Sequence, residues 1–300
     1  MSKIRIITDS ASDISTAEEQ KYNILILPFP ITIGDKSYMS RVDFDNTGFY
    51  KLMEENPNEL PKTAQITAFQ FDELYKEQFD AGYTDIIFVS INKKGSATHD
   101  NAVMAKNEFF EEHPEYAGKG TIQIFDGVGY SGQYGYPVVQ AAKMAEEGKT
   151  VDELIDYSIY GYYGKWKAIP ADTVRIAKQY FGIYGLKYAA KSGRIPSAAA
   201  LVGDALGVKP IMKIWANEIV TAFKCRGEKK LLAKMADVSA AEMLPGSPYR
   251  CDDVCRVELA AKMTEKVGYA PDDFFQIGAA VASNAGPKVA GVIFTVKDEA

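Results

Sequence analysis

The chain has 300 residues, 47% of them hydrophobic, enough to bury a substantial core as one large or two modest domains. A net charge of −6 excludes the basic excess expected of a nucleic-acid binder. Three cysteines and two histidines give no disulfide framework, no zinc motif around Cys251 and Cys255, and few candidates for a Ser-His-Asp triad. The longest apolar-rich run, Ile24 to Ile33, is broken by Pro28 and Pro30 and is too short to cross a bilayer, so no stable membrane insertion is expected. Met1-Ser2-Lys3-Ile4 leads into strand-like sequence without a signal-peptide pattern, and a cytoplasmic location is expected.

In chain order, Ile4 to Thr8 reads as a buried strand, followed by a polar turn and a helix over Ser15 to Tyr22. Ile24 to Ile33 reads as extended chain with edge or bulge prolines. Helices are predicted over Asn46 to Glu55 and Ala68 to Ala81, a doubly covered strand over Asp85 to Ile91, and a helix from Thr98 to Glu112. His113, in the polar turn Glu111-Glu112-His113-Pro114, is expected to be solvated. A strand at Thr121 to Phe125 and a helix from Gly132 to Glu147 complete an alternation that predicts a mainly parallel sheet flanked by helices.

Beyond residue 150 the pattern becomes α+β. Asp152 to Tyr163 is helix-like and tyrosine-rich, and Trp166 to Pro170 reads as a connector. Ser197 to Leu206 reads as a small-residue helix, and Val208 to Ile214 pairs with Glu218 to Lys224 as a hairpin around Ala216-Asn217. Helices over Lys229 to Met243 and Val254 to Val267 precede closing strands at Phe274 to Ala282 and Val289 to Val296. These patterns predict an N-terminal α/β domain over residues 1–160 and a C-terminal α+β domain over 161–300; a ligand site is expected between them.

Several polar segments could carry chemistry. Asp9-Ser10-Ala11-Ser12-Asp13 follows the first strand, where it could cap a helix or contact a ligand at the carboxyl edge of the sheet; it does not spell an Asp-x-Asp phosphatase motif. Thr67-x-x-Gln70 reads as a capping box, leaving Thr63 and Gln65 on a loop ahead of a helix start. Ser96 and Thr98 precede another helix, where a hydroxyl either caps the backbone or joins its N–H groups in holding an anion. His99 could pair with Ser96 as base and nucleophile, but three residues apart at a helix start they need not face the same reacting atom and no acid partner follows, so His99 reads as a solvated or gating histidine. Arg194, after Gly193, is either a solvated residue at a helix end or a clamp for a carboxylate. Lys224-x-Arg226-Gly227-Glu228-Lys229-Lys230 reads as a charged helix start.

Lys191-Ser192-Gly193-Arg194-Ile195 and Val208-Lys209-Pro210-Ile211 gain meaning beside four other segments. These are Thr8-Asp9-Ser10, Pro61-Lys62-Thr63-Ala64-Gln65, Gly95-Ser96-Ala97-Thr98 and Ala285-Gly286-Pro287. In that order and spacing the chain resembles, nearly end to end, the DegV family of fatty-acid-binding proteins. The resemblance implies a two-domain DegV-like α/β fold. It also implies that Thr63, Ser96, Arg194 and Asn284 hold a fatty-acid carboxylate, with Ser10, Gln65, Thr98 and Gly193 as secondary contacts. There are departures. Ala64, Ile66 and Thr67 interrupt the family's Thr-Ser-Gln-Pro-Ser, and Ala97 replaces a glycine, which requires ordinary backbone angles there. Asn284 stands where the family usually has histidine, and Lys288 replaces a glycine and adds charge.

What the resemblance implies is a carrier rather than an enzyme. It would hold a long acyl chain in an apolar tunnel and present it to a separate fatty acid kinase for phospholipid synthesis, with no cofactor and no metal. Phe29, Ile31, Phe69, Phe125, Leu201 and Ile277 are the candidate walls. Two alternatives stay open: a hydrolase or phosphotransferase acting on a small anionic substrate through Asp9 or Ser96, and a binder of another amphipathic ligand.

Overall fold

The structure is a computed structural model that describes residues 3–156, 175–195, 207–215, 218–252 and 256–297. The expectations for Tyr157 to Tyr163, Trp166 to Pro170, the helix at Ser197 to Leu206 with Leu201, the Ala216-Asn217 turn and Cys255 lie outside the described residues.

The first elements are β1 (Ile4–Asp9), α1 (Thr16–Lys21), β2 (Leu25–Leu27), β3 (Pro30–Ile33), β4 (Lys36–Met39), α2 (Asn46–Glu55) and β5 (Lys62–Thr63). Then come α3 (Ala68–Asp80), β6 (Asp85–Ser90), α4 (Thr98–Glu112), β7 (Thr121–Asp126), α5 (Gly132–Glu146) and α6 (Val151–Leu154). The second half supplies β8 (Arg175–Ile183), α7 (Leu186–Ser192), β9 (Val208–Trp215), β10 (Glu218–Arg226) and α8 (Glu228–Glu242). It closes with β11 (Tyr249–Asp252), α9 (Arg256–Val267), β12 (Asp273–Phe275), α10 (Ala279–Ala285) and β13 (Val289–Lys297). Helix starts follow local chemistry. Ser15 with Glu18, Thr67 with Gln70 and Thr150 with Glu153 form reciprocal capping boxes, and Asp45 accepts from Gly48 N–H at 2.7 Å.

The chain divides into two compact units, each made of two pieces. Met1–Pro30 joins Ala64–Ala168, and Ile31–Thr63 joins Ile169–Ala300. A single cut near residue 160 therefore misplaces Ile31–Thr63. The supposed continuous extended run from Ile24 to Ile33 is two strands in different sheets, interrupted at Pro28-Phe29.

In the first unit β2, β1, β6 and β7 form a parallel sheet in that order, with Ile4 opposite Asp85 and Ser90 opposite Asp126. Ile6, Ile7 and the run Ile86 to Val89 are buried, as expected of strands covered on both faces. Aromatic packing fixes α3 and α4: Phe71 lies 4.9 Å from Phe88, and Tyr75 meets Phe109 edge-on at 5.7 Å.

The second unit carries a six-stranded sheet among its described residues, ordered β10-β9-β8-β13-β11-β12. It is antiparallel except where β11 pairs with β12. Leu231, Leu232 and Met235 of α8 and Met263 of α9 share a core with Tyr180 and Phe294. A smaller sheet, β4-β3-β5, had no counterpart in the sequence reading. Neither had α10, because the predicted strand over Phe274 to Ala282 is a three-residue strand followed by a helix from Ala279. A short apolar run satisfies either pattern, and the alanines here wind into a helix.

Candidate functional site

The turns after β1, β6 and β7 share the carboxyl edge of the parallel sheet, the edge at which α/β sheets receive ligands. Asp9 ties them together. Its wholly buried carboxylate accepts hydrogen bonds from the Tyr134 hydroxyl at 2.6 Å, Ile91 N–H at 2.7 Å and Ala11 N–H at 3.1 Å. Burial raises its pKa to about 6, with those three donors pulling the other way. Such a group is a strut of the sheet edge, out of a substrate's reach. The next residue, Ser10, is also buried, and its Oγ accepts from Phe29 N–H at 3.0 Å.

The turn after β6 is folded onto the turn after β7. Asn92 N–H donates to Gly129 O at 3.1 Å, and Lys93 N–H donates to Asp126 Oδ1 at 3.1 Å. At Gly95 the Tyr130 hydroxyl packs so close that a Cβ there would lie 2.3 Å from it and would have to displace that side chain. Ser96 Oγ accepts from Thr98 N–H at 3.3 Å and lies 3.0 Å from Thr98 Oγ1. Thr98, fully buried, accepts from Ile66 N–H at 3.2 Å, which brings the segment after exposed Gln65 to the start of α4. Ala97 stands at the cap position with φ −75° and makes no side-chain cap, in keeping with ordinary backbone angles there. Ser96 thus stands, half-buried, at the positive end of a 15-residue helix.

In the second unit α10 packs against α7, β5 and α2. Three predicted contacts therefore ride on touching elements: Thr63 on β5, Asn284 on α10 and Arg194 just past α7. Thr63 is not on a loop, since β5 pairs with β3 through Thr63 opposite Ile31. Gly193 ends α7 in the left-handed region at φ 70°. Arg194 turns back on this cap, with its N–H on Ser192 Oγ at 3.2 Å and Nη1 on Ser192 O at 2.9 Å, and stays exposed. Asn284 Nδ2 donates to Ala280 O at 2.9 Å, one turn back on its own helix. Gly286 of the Ala285-Gly286-Pro287 motif holds φ 95° and ψ 169°, a conformation that favours glycine, and a Cβ there would also press on the Tyr188 ring at 3.1 Å.

Lys288 brings charge, and that charge is matched. Its Nζ is 2.9 Å from Glu228 and lies over the Tyr184 ring at 4.7 Å. Tyr184 donates to the same carboxylate at 3.2 Å. The Lys288 contact, first among several, holds the Glu228 carboxyl below its ordinary value.

Other expectations do not hold. Phe69 is 73% exposed and cannot line an apolar tunnel, whereas Phe29, Ile31 and Ile277 are buried and Phe125 is half-buried. His113 is not solvated: Nε2 lies 2.9 Å from Asp72 Oδ1, and its ring packs on Phe109 at 4.9 Å. His99, expected to be solvated or gating, is half-buried and faces Asp100 at 3.2 Å; the contacts of Ser96 are to Thr98, so the nucleophile–base pair that the spacing disfavoured does not form. The sequence reading missed Tyr134 as the partner of Asp9, because 125 positions separate them and no motif links them.

The sequence model of a family described as an uncharacterised protein family, DegV, matches residues 3–297. The chain belongs to the DegV family. A DegV domain-containing protein of Caldanaerobacter subterraneus is 27% identical over 303 residues, covering 99% of this chain and 100% of that relative. Among solved structures, a stearic-acid-binding protein from Eubacterium ventriosum superposes with a TM-score of 0.81 at 20% identity, covering 99% of this DegV chain and 98% of that one. DegV of Bacillus subtilis, described as a fatty acid binding protein, matches with a TM-score of 0.77 at 21% identity, covering 99% and 100% of the two chains. The α/β DegV fold, with a parallel N-terminal sheet and a mixed C-terminal one, thus extends over nearly the whole chain.

Proposed function

We propose that this DegV chain binds a long-chain fatty acid. The acyl tail lies in an apolar tunnel, and the carboxylate is held by Thr63, Ser96, Arg194 and Asn284, with Ser10, Gln65, Thr98 and Gly193 around them. The observation that carries it is the end-to-end match to solved folds described as fatty-acid-binding, and to a DegV family protein loaded with heptadecanoic acid. Site chemistry supports the same assignment. Ser96 offers a hydroxyl at a positive helix end, Arg194 an exposed guanidinium, and Asn284 an amide that needs only to exchange a bond to its own helix.

About 15 buried methylenes at roughly 0.8 kcal/mol each contribute on the order of 12 kcal/mol of gross transfer energy, before ordering and association costs. Affinity thus comes from the tail, and the polar residues set direction and headgroup. In this role the protein works in the cytoplasm as a carrier, offering the carboxylate to a separate kinase whose acyl phosphate product enters phospholipid synthesis. The hydrolase alternative loses support, since Asp9 is wholly buried and Ser96 contacts Thr98 rather than a base.

The test is denaturing extraction of the purified protein and mass spectrometry of the extract. A roughly stoichiometric long-chain fatty acid is the expected result. A protein that comes out empty and takes up no added fatty acid would redirect the assignment to another amphipathic ligand, with Asn284 the first residue to re-examine.

A further inference from the structure

A hydroxyl has one proton to give and two lone pairs to receive with, so its neighbours decide which role it keeps. Thr98, fully buried at the start of α4, accepts from Ile66 N–H at 3.2 Å. The Ile66 peptide is held from its other side as well, where its carbonyl accepts from Asn101 Nδ2 at 2.7 Å. The series of bonds therefore starts from a fixed point, and all its members belong to the first unit.

The next bond, between Thr98 Oγ1 and Ser96 Oγ at 3.0 Å, has a direction. Among the described residues Ser96 Oγ is the acceptor available to the Thr98 proton, and the reverse arrangement would leave that proton buried without a partner. Thr98 is thus the donor. Ser96 Oγ accepts a second time from Thr98 N–H at 3.3 Å, which occupies both of its lone pairs. What Ser96 has left is its proton. The residue is half-buried, so that proton is within reach of a ligand.

We propose that Thr98 is the positioning residue of the headgroup site: it fixes Ser96 as a hydrogen-bond donor only, and so selects a head group that accepts, an ionised carboxylate. This role rests on the fatty-acid reading above and adds to it the residue that sets headgroup choice. A carboxylate accepts and never donates, which matches a serine with both lone pairs filled. A protonated acid or an alcohol brings a proton of its own, for which Ser96 has no lone pair. Hydroxyls that donate in one direction also polarise one another, which strengthens the last bond of the series. Thr98 does this without touching the ligand.

Losing the Thr98 hydroxyl also removes the acceptor of Ile66 N–H, so a fall in affinity alone would not separate aiming from packing. The test follows the carboxyl resonance of [1-¹³C]palmitate bound to the protein. Thr98→Val should move it in the same direction as Ser96→Ala and weaken uptake by about fivefold. Thr98→Ser, which restores the hydroxyl, should return both to wild-type values. In a Ser96→Ala background Thr98→Val should move the resonance no further, since Thr98 acts through Ser96. A resonance unchanged by Thr98→Val, or moved as far in the Ser96→Ala background as in the wild type, would overturn the role of Thr98 while leaving fatty-acid binding in place. Thr98→Cys, which keeps only a weak donor, should fall between serine and valine and decides the matter if the valine protein folds poorly. A wild-type protein that gives no bound resonance would overturn the fatty-acid reading and the role of Thr98 with it.

Discussion

The residues singled out in the two units are satisfied in different ways. In the first unit Asp9 bonds to Tyr134 and Ile91, Ser10 to Phe29 and Thr98 to Ile66, each across the chain. In the second Asn284 bonds to Ala280 and Arg194 to Ser192, each on its own helix or its end. A long-range bond fixes where two segments meet, and losing it leaves a buried group without a partner. A local bond to a carbonyl at a helix end is easily exchanged for a ligand. On the proposed function, Asp9, Ser10 and Thr98 hold the frame, whereas Arg194 and Asn284, with Ser96 at the head of α4, would exchange local bonds for a carboxylate.

The largest effect should come from the frame. Asp9→Ala strands Ile91 N–H, Ala11 N–H and the Tyr134 hydroxyl, and should cost about 4 kcal/mol in urea melts. A loss under about 1 kcal/mol would dissolve the distinction between the units.

The second effect is a pH dependence. Burial raises Asp9 from 3.8 to about 6, so the folded chain keeps this proton more tightly than the unfolded one. Its contribution is fully present below the unfolded value and is lost as pH rises through the folded value, a loss of about 3 kcal/mol. Asp9→Asn should flatten the stability curve between those pH values, measured as the urea midpoint against pH; an unchanged slope would remove Asp9 as its source.

Ser10→Ala should cost about 1–2 kcal/mol, since Phe29 N–H loses its acceptor. Thermal melts check this, and a neutral result would place Ser10 with the exchangeable residues. The smallest stability effects belong to Arg194→Ala and Asn284→Ala, each within about 0.5 kcal/mol of the parent. Both should nonetheless lower fatty-acid retention, measured by extraction and mass spectrometry; a large stability loss with normal retention would reverse their assignment.

Legibility in the sequence followed the same divide. Asn46–Glu55 and Thr98–Glu112 were legible to the residue, because the helical period lies within each segment and Asp45 caps the first of them. The parallel alternation of β1, β6 and β7 was legible from strand runs separated by helices. What could not be read was non-local. β5 is two residues whose strand character exists only through Ile31 and Thr32. The helix at Ala279–Ala285 hid in an apolar run that a strand would also satisfy, so the element carrying Asn284 was misread while Asn284 itself was singled out by resemblance. Phe69 shows the limit of reading walls from residue type, since its neighbours Ala68 and Gln70 gave no sign that its ring faces solvent.

The central claim is that Ser96 and Arg194 serve the carboxylate while the frame serves the fold. The most direct measurement follows the carboxyl resonance of [1-¹³C]palmitate on binding to the wild-type protein, Ser96→Ala and Arg194→Ala. The account predicts one bound resonance, shifted from free palmitate in the wild type, and moved toward the free position with weaker uptake in both variants, all three proteins melting alike. A bound resonance at the same position with the same uptake in all three would contradict it.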